Sequence, residues 1–234
     1  MRASTRAFTL VEMGIVLVIV GLLLGGLLAP LGAQLDQRRA AETVRALDDA
    51  RDALAGFAAR NGYLPCPAIS ASNGLEDRSG TRCRNERRFG FLPWATLGVP
   101  KLDAWQRQYL YSVTPAFSDS GVPFRLNTPR DITIASRDAA GELVAASASN
   151  DIPAAILSQG RNGYGGFSDI GVQAADMGTT NVDEKANARS DGRMFIARNG
   201  ADNPAAPGGA YDDIVVWLSP NILFNRMLAA QRLP

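Results

Sequence analysis

The chain has 234 residues, 46% of them hydrophobic, with a formal net charge of +1, two cysteines and no histidine. Without histidine, a Ser-His-Asp triad and a zinc site built on imidazole are both excluded. The near-neutral charge gives no sign of nucleic-acid binding, and the length fits one anchoring segment plus one globular domain.

The first predicted element is an apolar helix near the amino terminus. No residue from Met13 to Leu35 is charged, and at about 1.5 Å per residue this run spans the ~30 Å hydrocarbon core of a bilayer. Arg2 and Arg6 precede it, which favours a cytoplasmic amino terminus and export of the chain beyond the helix. A cleaved secretory signal is disfavoured because Leu31-Gly32-Ala33 places a bulky residue where a small one is needed.

Glu12 places a carboxylate just inside this segment, where a charge is costly. The string Phe8-Thr9-Leu10-Val11-Glu12, followed by an apolar run, closely resembles the amino-terminal motif of type IV pilins and type II secretion pseudopilins. The resemblance implies that a prepilin peptidase removes a leader, Met1 to Ala7, and that the new terminus at Phe8 is N-methylated. Ala7 stands where the family usually has glycine, and cleavage is still expected because alanine is the smallest substitute. Glu12 would then pair with the ammonium of Phe8 on a neighbouring subunit during assembly.

The helix is predicted to continue past the membrane. Gly25, Gly26 and Pro30 suit a helix that packs closely against copies of itself and bends or locally melts. Apolar residues then recur at helical spacing before an Asn61-Gly62 stop: Ala40, Val44, Leu47, Leu54 and Phe57. The predicted segments after the leader 1–7 are a transmembrane and assembly helix (8–35), its amphipathic continuation (36–62) and a globular domain (63–234).

Cys66 and Cys83 are predicted to form a disulfide. Export to an oxidising compartment favours this over a metal pair or a nucleophile, and closing the loop is worth about 3 kcal/mol. Four arginines lie in or beside this loop and could contact an anion such as a nucleic-acid phosphate: Arg82, Arg84, Arg87 and Arg88. Runs of charged residues more often form solvated surface than a binding site. Nucleic-acid binding therefore stays an alternative and is not the main prediction.

Aromatic residues in the central region predict core and a strand rather than a binding site. They are Trp94, Trp105, Tyr109 and Tyr111, with Leu97 beside them. The stretch that begins Asp103-Ala104-Trp105 also resembles the Asp-X-Trp-Gly-X-X-X-X-Tyr segment of pseudopilins. Gln106 takes the place of the glycine, so the sequence does not favour a tight turn there.

Short apolar runs bounded by glycine, asparagine and proline predict an antiparallel sheet in the distal half. They are "DITIAS" and "ELVAA", which flank "RDAAG" as a hairpin, then "AAILSQG", "GRMFIARNG" and "DDIVVWLS". A closing helix is predicted with Ser219 as its N-cap and Pro220 at its first position. Its apolar residues on roughly one side are Ile222, Leu223, Met227 and Leu228.

The long polar loop between these strands carries acidic residues. Asp176, Asp183, Glu184 and Asp191 could supply oxygens to Ca2+, but their spacing matches no compact calcium loop, so solvated charges are favoured and no cofactor or metal is expected. Asp212 and Asp213 resemble a catalytic carboxylate pair. Adjacent strand residues point to opposite faces, however, so these two are not expected to share a site.

The sequence therefore predicts an α+β fold in which a long amino-terminal transmembrane and amphipathic helix packs on an antiparallel β-sheet domain. The resemblance implies a structural, minor subunit of a type IV pilus or type II secretion pseudopilus rather than an enzyme. It also implies an inner-membrane location with a cytoplasmic amino terminus and a periplasmic domain. The implied partners are other pilin subunits, prepilin peptidase and the inner-membrane assembly platform. The alternatives are a membrane-anchored periplasmic binding module, such as a DNA-uptake or adhesive minor pilin using the four arginines, and a periplasmic enzyme.

Overall fold

A computed structural model describes residues 9–175 and 180–233, and for residues 24–30 it describes the backbone alone. Within these residues the fold is α+β, as predicted. The helices are α1 (Leu10–Asn61), α2 (Trp94–Leu97), α3 (Pro115–Ser118), α4 (Val182–Ala188) and α5 (Pro220–Ala229), with a 3-10 turn at Arg84–Glu86. The strands are β1 (Arg78–Ser79), β2 (Arg82–Cys83), β3 (Phe89–Phe91), β4 (Leu110–Val113), β5 (Thr133–Arg137), β6 (Leu143–Ala145), β7 (Ala154–Ser158), β8 (Met194–Ile196) and β9 (Ile214–Leu218).

The chain divides into two units, the first ending at Arg39 and the second beginning at Ala40. In the first unit, α1 carries large apolar side chains that are exposed from Leu10 to Leu23. Across the side chains that are described, no helix offers an apolar stretch sufficient to cross a bilayer.

In the second unit, α1 is amphipathic, as its spacing predicts. Leu47, Ala50, Leu54 and Ala58 are fully or almost fully buried. Val44, predicted on the same face, is instead 40% exposed, because the buried stripe starts one residue earlier, at Thr43.

The helix ends where the sequence predicts. Asn61 is its last residue, and the Asn61 side-chain amide donates to the carbonyl oxygen of Phe57 at 2.9 Å. Gly62 follows with φ 88°, a left-handed conformation that glycine adopts without strain.

The central sheet is antiparallel with the strand order β3-β4-β7-β9. Side chains of β4 and β7 alternate between two cores: Tyr111 and Ile156 face a core shared with α1, whereas Leu110 and Leu157 face a second core. Both faces of these strands are thus covered, which explains why the run "AAIL" of β7 is continuously apolar rather than alternating. Tyr109 and Tyr111 are buried, as predicted, while Trp94 and Trp105 are half-buried.

The second core lies between this sheet and a three-stranded sheet ordered β6-β5-β8, with Ile132, Ile134 and Phe195 at its centre. β5 and β6 form the predicted hairpin, with Arg137 opposite Leu143. β8, however, runs parallel to β5, so this sheet is mixed where an antiparallel one was predicted. Residues 138–193, which include α4, supply the long crossover that a parallel pair requires.

The closing helix α5 begins after Ser219 with Pro220 in its first turn, as predicted, although the Ser219 side chain makes no capping hydrogen bond. Its inner face consists of Leu223, Phe224 and Met227. Ile222 and Leu228, predicted on that face, are 40% and 47% exposed. The buried face of α5 is centred on Leu223 and Met227. Ile222 and Leu228 therefore lie at the edges of that face.

The carboxyl terminus is tied to the end of α1. Leu233 is buried in the core that contains Leu47 and Leu54. The Arg232 guanidinium donates to the carbonyl oxygen of Arg60 at 2.6 Å. Residues near the start and near the end of the second unit therefore pack in the same core.

Candidate functional site

The start of α1 holds Glu12 in a reciprocal hydrogen-bonded cap. Oε2 of Glu12 accepts hydrogen bonds from the Thr9 amide at 2.8 Å and the Thr9 hydroxyl at 2.9 Å. The Glu12 amide donates back to Oγ1 of Thr9 at 3.3 Å. This is a capping box, so Glu12 has a local role at the helix start that the sequence interpretation missed, although Thr-X-X-Glu before an apolar run is the signature of such a box.

The other residues predicted to act in processing and flexibility are only partly described. Ala7 and Phe8 lie outside the described residues, as does the leader before them. The backbone of α1 is helical through Gly25, Gly26 and Pro30. Bending or melting of the helix at these positions stays a prediction.

Exposed apolar surface begins within the capping box, at Leu10, and continues along α1 beyond Glu12. Leu10 is 91% exposed, Leu17 70% and Leu22 73%. Contiguous apolar surface of this kind marks a site that binds protein or membrane. The first unit therefore exposes an apolar surface along α1 that extends at least from Leu10 to Leu23.

The predicted disulfide is present between Cys66 and Cys83, with their Cα atoms 5.3 Å apart. The loop that it closes has internal order, because β1 and β2 pair with Arg78 opposite Cys83. The Cys66 amide also donates to Oε2 of Glu76 at 3.0 Å. The disulfide thus closes a loop that hydrogen bonds already organise.

Each of the four arginines beside this loop faces a carboxylate. Nε of Arg82 donates to Asp119 at 3.1 Å, and Nε of Arg84 donates to Asp77 at 2.8 Å. Arg87 lies 3.9 Å from the same Asp77, and both terminal nitrogens of Arg88 donate to Asp131. Their charges are therefore largely matched within the chain, which leaves little unpaired positive charge to bind phosphates and does not favour the nucleic-acid alternative.

The acidic residues first considered for Ca2+ do not gather. Asp176 lies outside the described residues, and Asp191 is exposed, 3.8 Å from Arg193. Asp183 is fully buried and accepts from Arg137 at 2.6 Å and from Arg198 at 2.7 Å. Of the three members of this set that the structure describes, only Glu184 joins a carboxylate cluster.

That cluster consists of Glu184, Asp212 and Asp213, hereafter the carboxylate cluster. One oxygen from each of the three lies within 4.8 Å of the other two. The prediction that Asp212 and Asp213 cannot share a site was therefore wrong. β9 begins only at Ile214, so the two aspartates precede the pleated ladder and the strand alternation does not apply to them.

Donors from three segments hold the cluster in place. The Asn162 side chain and the Asp212 amide each donate to Oε1 of Glu184 at 2.8 Å, and Asn181 donates to Oε2 at 2.8 Å. Asn187 donates to Oδ2 of Asp213 at 2.9 Å. The Asn162 backbone amide donates to Oδ2 of Asp212 at 2.9 Å. These bonds fix the orientation of every carboxylate in the cluster.

Two carboxylate oxygens remain without a partner. Oδ1 of Asp212 and Oδ1 of Asp213 are buried and accept no hydrogen bond within the described part of the chain. Burial raises the pKa of Asp212 to about 6. The hydrogen bond from the Asn162 amide lowers this pKa, whereas the negative charge of Glu184 raises it. Burial likewise raises the pKa of Asp213 well above its usual range, and the charges of Glu184 and Asp212 add to this.

Comparison with protein-family models, curated proteins and solved structures found no match. Three carboxylates held close together form a set of hard oxygen ligands, the type that Ca2+ and Mg2+ prefer.

Asp212 connects the cluster to solvent. It is half-buried and lines a cavity of about 290 Å³ together with Asn162 and Asn181. The sequence offered one local signal for this arrangement, the Asn181-X-X-Glu184 spacing at the start of α4, which is typical of a helix amino terminus. The approach of Asp212 and Asp213 to that helix depends on tertiary packing and had no sequence signal.

Proposed function

We propose that this chain is a structural subunit of a type IV pilus or type II secretion pseudopilus filament. The observation that carries the proposal is the exposed apolar surface of α1 from Leu10 to Leu23, which includes the capped carboxylate of Glu12 near its start. The chain acts through its amino-terminal helix, and the second unit is the domain that this helix carries.

The apolar surface is the physical basis of assembly. A helix that is apolar on all sides is stable only in a bilayer or inside a bundle of helices. The uncharged sequence from Met13 to Leu35 suits both environments in turn, first as an inner-membrane segment and then as the core of a filament. Arg2 and Arg6 favour a cytoplasmic amino terminus, and the Cys66–Cys83 disulfide is consistent with a periplasmic domain.

Glu12 supplies the contact that selects the position of a neighbouring subunit. Both Thr9 donors go to Oε2, so Oε1 is open to a donor from another chain. Cleavage before Phe8 would create an ammonium that can be this donor, and a charge-assisted hydrogen bond of this kind is about twice as strong as a neutral one. An unpaired charge among apolar helices costs several kcal/mol, so only the correct register would be stable.

The test is the intact mass and the amino-terminal sequence of the protein isolated from its native membranes. A chain that begins with N-methylated Phe8 supports processing by a prepilin peptidase and hence the filament role. A chain that begins at Met1 contradicts the proposal, because an uncleaved leader leaves no ammonium beside Glu12.

A further inference from the structure

We propose that β9 pairs edge to edge, as an antiparallel strand, with β9 of a second copy of this chain. The inference concerns the second unit alone and is independent of the filament role. It rests on an uncovered strand edge and on the self-complementary order of the side chains along that edge.

The strand β9 ends the central sheet. All five of its residues pair with β7, from Ile214 opposite Ser158 to Leu218 opposite Ala154. Alternate residues of such an edge strand turn their N–H and C=O groups away from the sheet. Within the described part of the chain, no hydrogen bond reaches these outward groups. A row of unpaired backbone groups is complementary to one kind of partner, an extended polypeptide segment that adds a strand.

The edges of β3 and β8 are covered, in contrast to that of β9. On β3, the Ala68 amide donates to the Phe91 carbonyl oxygen at 2.9 Å. On β8, the Asn187 side chain binds both backbone groups of Ile196. It donates to the Ile196 carbonyl oxygen at 2.9 Å and accepts from the Ile196 amide at 2.7 Å. The fold thus satisfies the backbone groups of these two edges internally.

The edge of β6 is also open, but β6 is a poorer template for pairing. It has three residues, Leu143–Ala145, and the charged Glu142 directly precedes it. Short edge strands and charged residues are common means of preventing edge-to-edge pairing. The strand β9 has five residues and contains no charged residue, proline or glycine. Its residues from Ile214 to Trp217 are all half-buried, so part of each stays exposed along this edge.

The side chains of β9 are complementary to those of a second copy. In an antiparallel pair centred on Val216, this residue faces Val216 of the other copy. Ile214 then faces Leu218, and Val215 faces Trp217. Every opposed pair is apolar, and pairs of an aromatic with a β-branched residue stabilise adjacent strands.

The same register keeps the acidic residues before β9 apart. It places Asp213 opposite Ser219 and Asp212 opposite Pro220, so no carboxylate faces another. Like charges directly opposite each other would destabilise the pair. Because a twofold axis relates the two strands, the pairing closes on two chains and does not propagate. It is therefore distinct from the head-to-tail contacts that build a filament.

Cross-linking through Val216→Cys tests the pairing. Cys66 and Cys83 are bonded to each other and are the two cysteines of the chain, so the introduced thiol is the only free one. At the twofold axis the two Cα atoms at position 216 would lie about 4.5–5.5 Å apart, which suits a disulfide. We expect mild oxidation of the full chain, in native membranes and in detergent with micelles in excess, to convert most Val216→Cys chains to a covalent dimer.

Val215→Cys and Val144→Cys are the matched controls. In the proposed register, position 215 of one copy lies diagonally from position 215 of the other, about 7–8 Å away and too far for an unstrained disulfide. Val144 lies on the open edge of β6 and is 42% exposed, so its variant reports cross-linking by random collision. Each control should form a dimer at least about tenfold more slowly than Val216→Cys.

Amide hydrogen exchange of the natural chain is a second measurement that needs no substitution. The outward amides of residues 214–218 should exchange more slowly as the protein concentration rises, because pairing with a second copy protects them. The amides of residues 143–145 should exchange at a rate that does not depend on concentration.

Several outcomes would overturn the proposal. Equal rates of dimer formation by Val216→Cys and Val144→Cys would assign the cross-links to collision, and faster cross-linking of Val215→Cys would contradict the register. A product from native membranes with the mass of one chain plus a different protein would mean that another protein occupies the edge of β9. Exchange at residues 214–218 that is independent of concentration would contradict pairing between copies, and this result decides if Val216→Cys does not fold.

Discussion

Gln106 adopts a left-handed backbone conformation with φ 65° in the turn that follows Asp103. The Asp103 carboxylate explains why the turn forms without glycine. Its Oδ1 accepts from the Trp105 and Arg107 amides, each at 2.9 Å, and its Oδ2 accepts from the Ser158 hydroxyl at 2.6 Å. The expectation against a tight turn was therefore wrong, because it considered the residue at the turn and not the buried carboxylate that closes it.

We expect Gln106→Gly to raise the free energy of unfolding by about 0.5–1 kcal/mol. A left-handed conformation costs a residue with a Cβ roughly 1–2 kcal/mol, and the extra freedom of glycine in the unfolded chain takes back part of this. The measurement is urea unfolding followed by tryptophan fluorescence, since Trp94, Trp105 and Trp217 all lie in the second unit.

Gly98→Ala is the matched control for this variant. Gly98 has φ 72° and open space where a Cβ would lie, so the substitution changes backbone strain without creating a clash. It should lower stability by about 1 kcal/mol. A loss of stability in Gln106→Gly would show that the Gln106 side chain makes a favourable contribution larger than the strain.

Among the elements, a polar contact links strands of the two sheets. Arg88 precedes β3 of the central sheet and Asp131 precedes β5 of the other, and Nη2 of Arg88 donates to Oδ1 of Asp131 at 2.7 Å. The Thr114 hydroxyl, just after β4, donates to the same oxygen at 2.7 Å. Burial raises the pKa of Asp131, but these bonds outweigh it and hold the pKa below its usual value.

The contribution of Asp131 to stability should depend on pH. A lowered pKa means that the carboxylate stabilises the fold above its unfolded pKa of about 3.9, and this stability is lost as pH falls through the lower folded value. Asp131→Asn should therefore be less stable than the natural chain at pH 7, by about 1–3 kcal/mol. The difference should shrink below about pH 4, as measured by urea unfolding between about pH 7 and pH 3.

Asp202→Asn serves as the control for this pH series. Asp202 pairs with Arg161 at 2.8 Å, but its side chain is 88% exposed, and exposed pairs contribute about 0–1 kcal/mol. A constant difference between Asp131→Asn and the natural chain across the whole pH series would mean that the charge of Asp131 does not stabilise the fold.

Local elements were predictable from the sequence and long-range pairings were not. The prediction of the β5–β6 hairpin was correct because a short turn segment containing Gly141 separates its two apolar runs. The parallel partner of β5 could not be read from the sequence, since Met194 to Ile196 lie far along the chain. The carboxylate cluster could not be predicted for the same reason, because Glu184 lies near Asp212 only when α4 packs beside the start of β9.

At the scale of the whole molecule, substitutions of Glu12 and Thr9 distinguish a role in filament assembly from a role in helix capping. Glu12→Ala removes both the cap and the carboxylate of the proposed filament contact, so we expect a processed chain that does not enter filaments. Thr9→Ala removes the side-chain part of the cap but keeps the carboxylate, so assembly should persist. The measurement is the fraction of each variant recovered in sheared filaments against the fraction left in the membrane.

The two variants distinguish the filament role from a local one. Equal failure of Thr9→Ala and Glu12→Ala to assemble would assign Glu12 to helix capping alone. Normal incorporation of Glu12→Ala would remove the assembly role altogether. Processing should be intact in both variants, as judged by the mass of the membrane form.

The bond between Arg232 and Arg60 joins residues 172 positions apart, and this bears on how the second unit folds during synthesis. Its core takes Leu47 and Leu54 from the first helix and Leu223, Met227 and Leu233 from the last residues. Contacts so distant in sequence form slowly, and none of them can form before residues 223 to 233 have been synthesised. A chain that ends before Leu223 would lack Leu223, Met227 and Leu233 from its core, so such incomplete products should remain unfolded and open to proteases. The native core around Leu47 and Leu54 is therefore expected to close only after residues 223 to 233 have joined it.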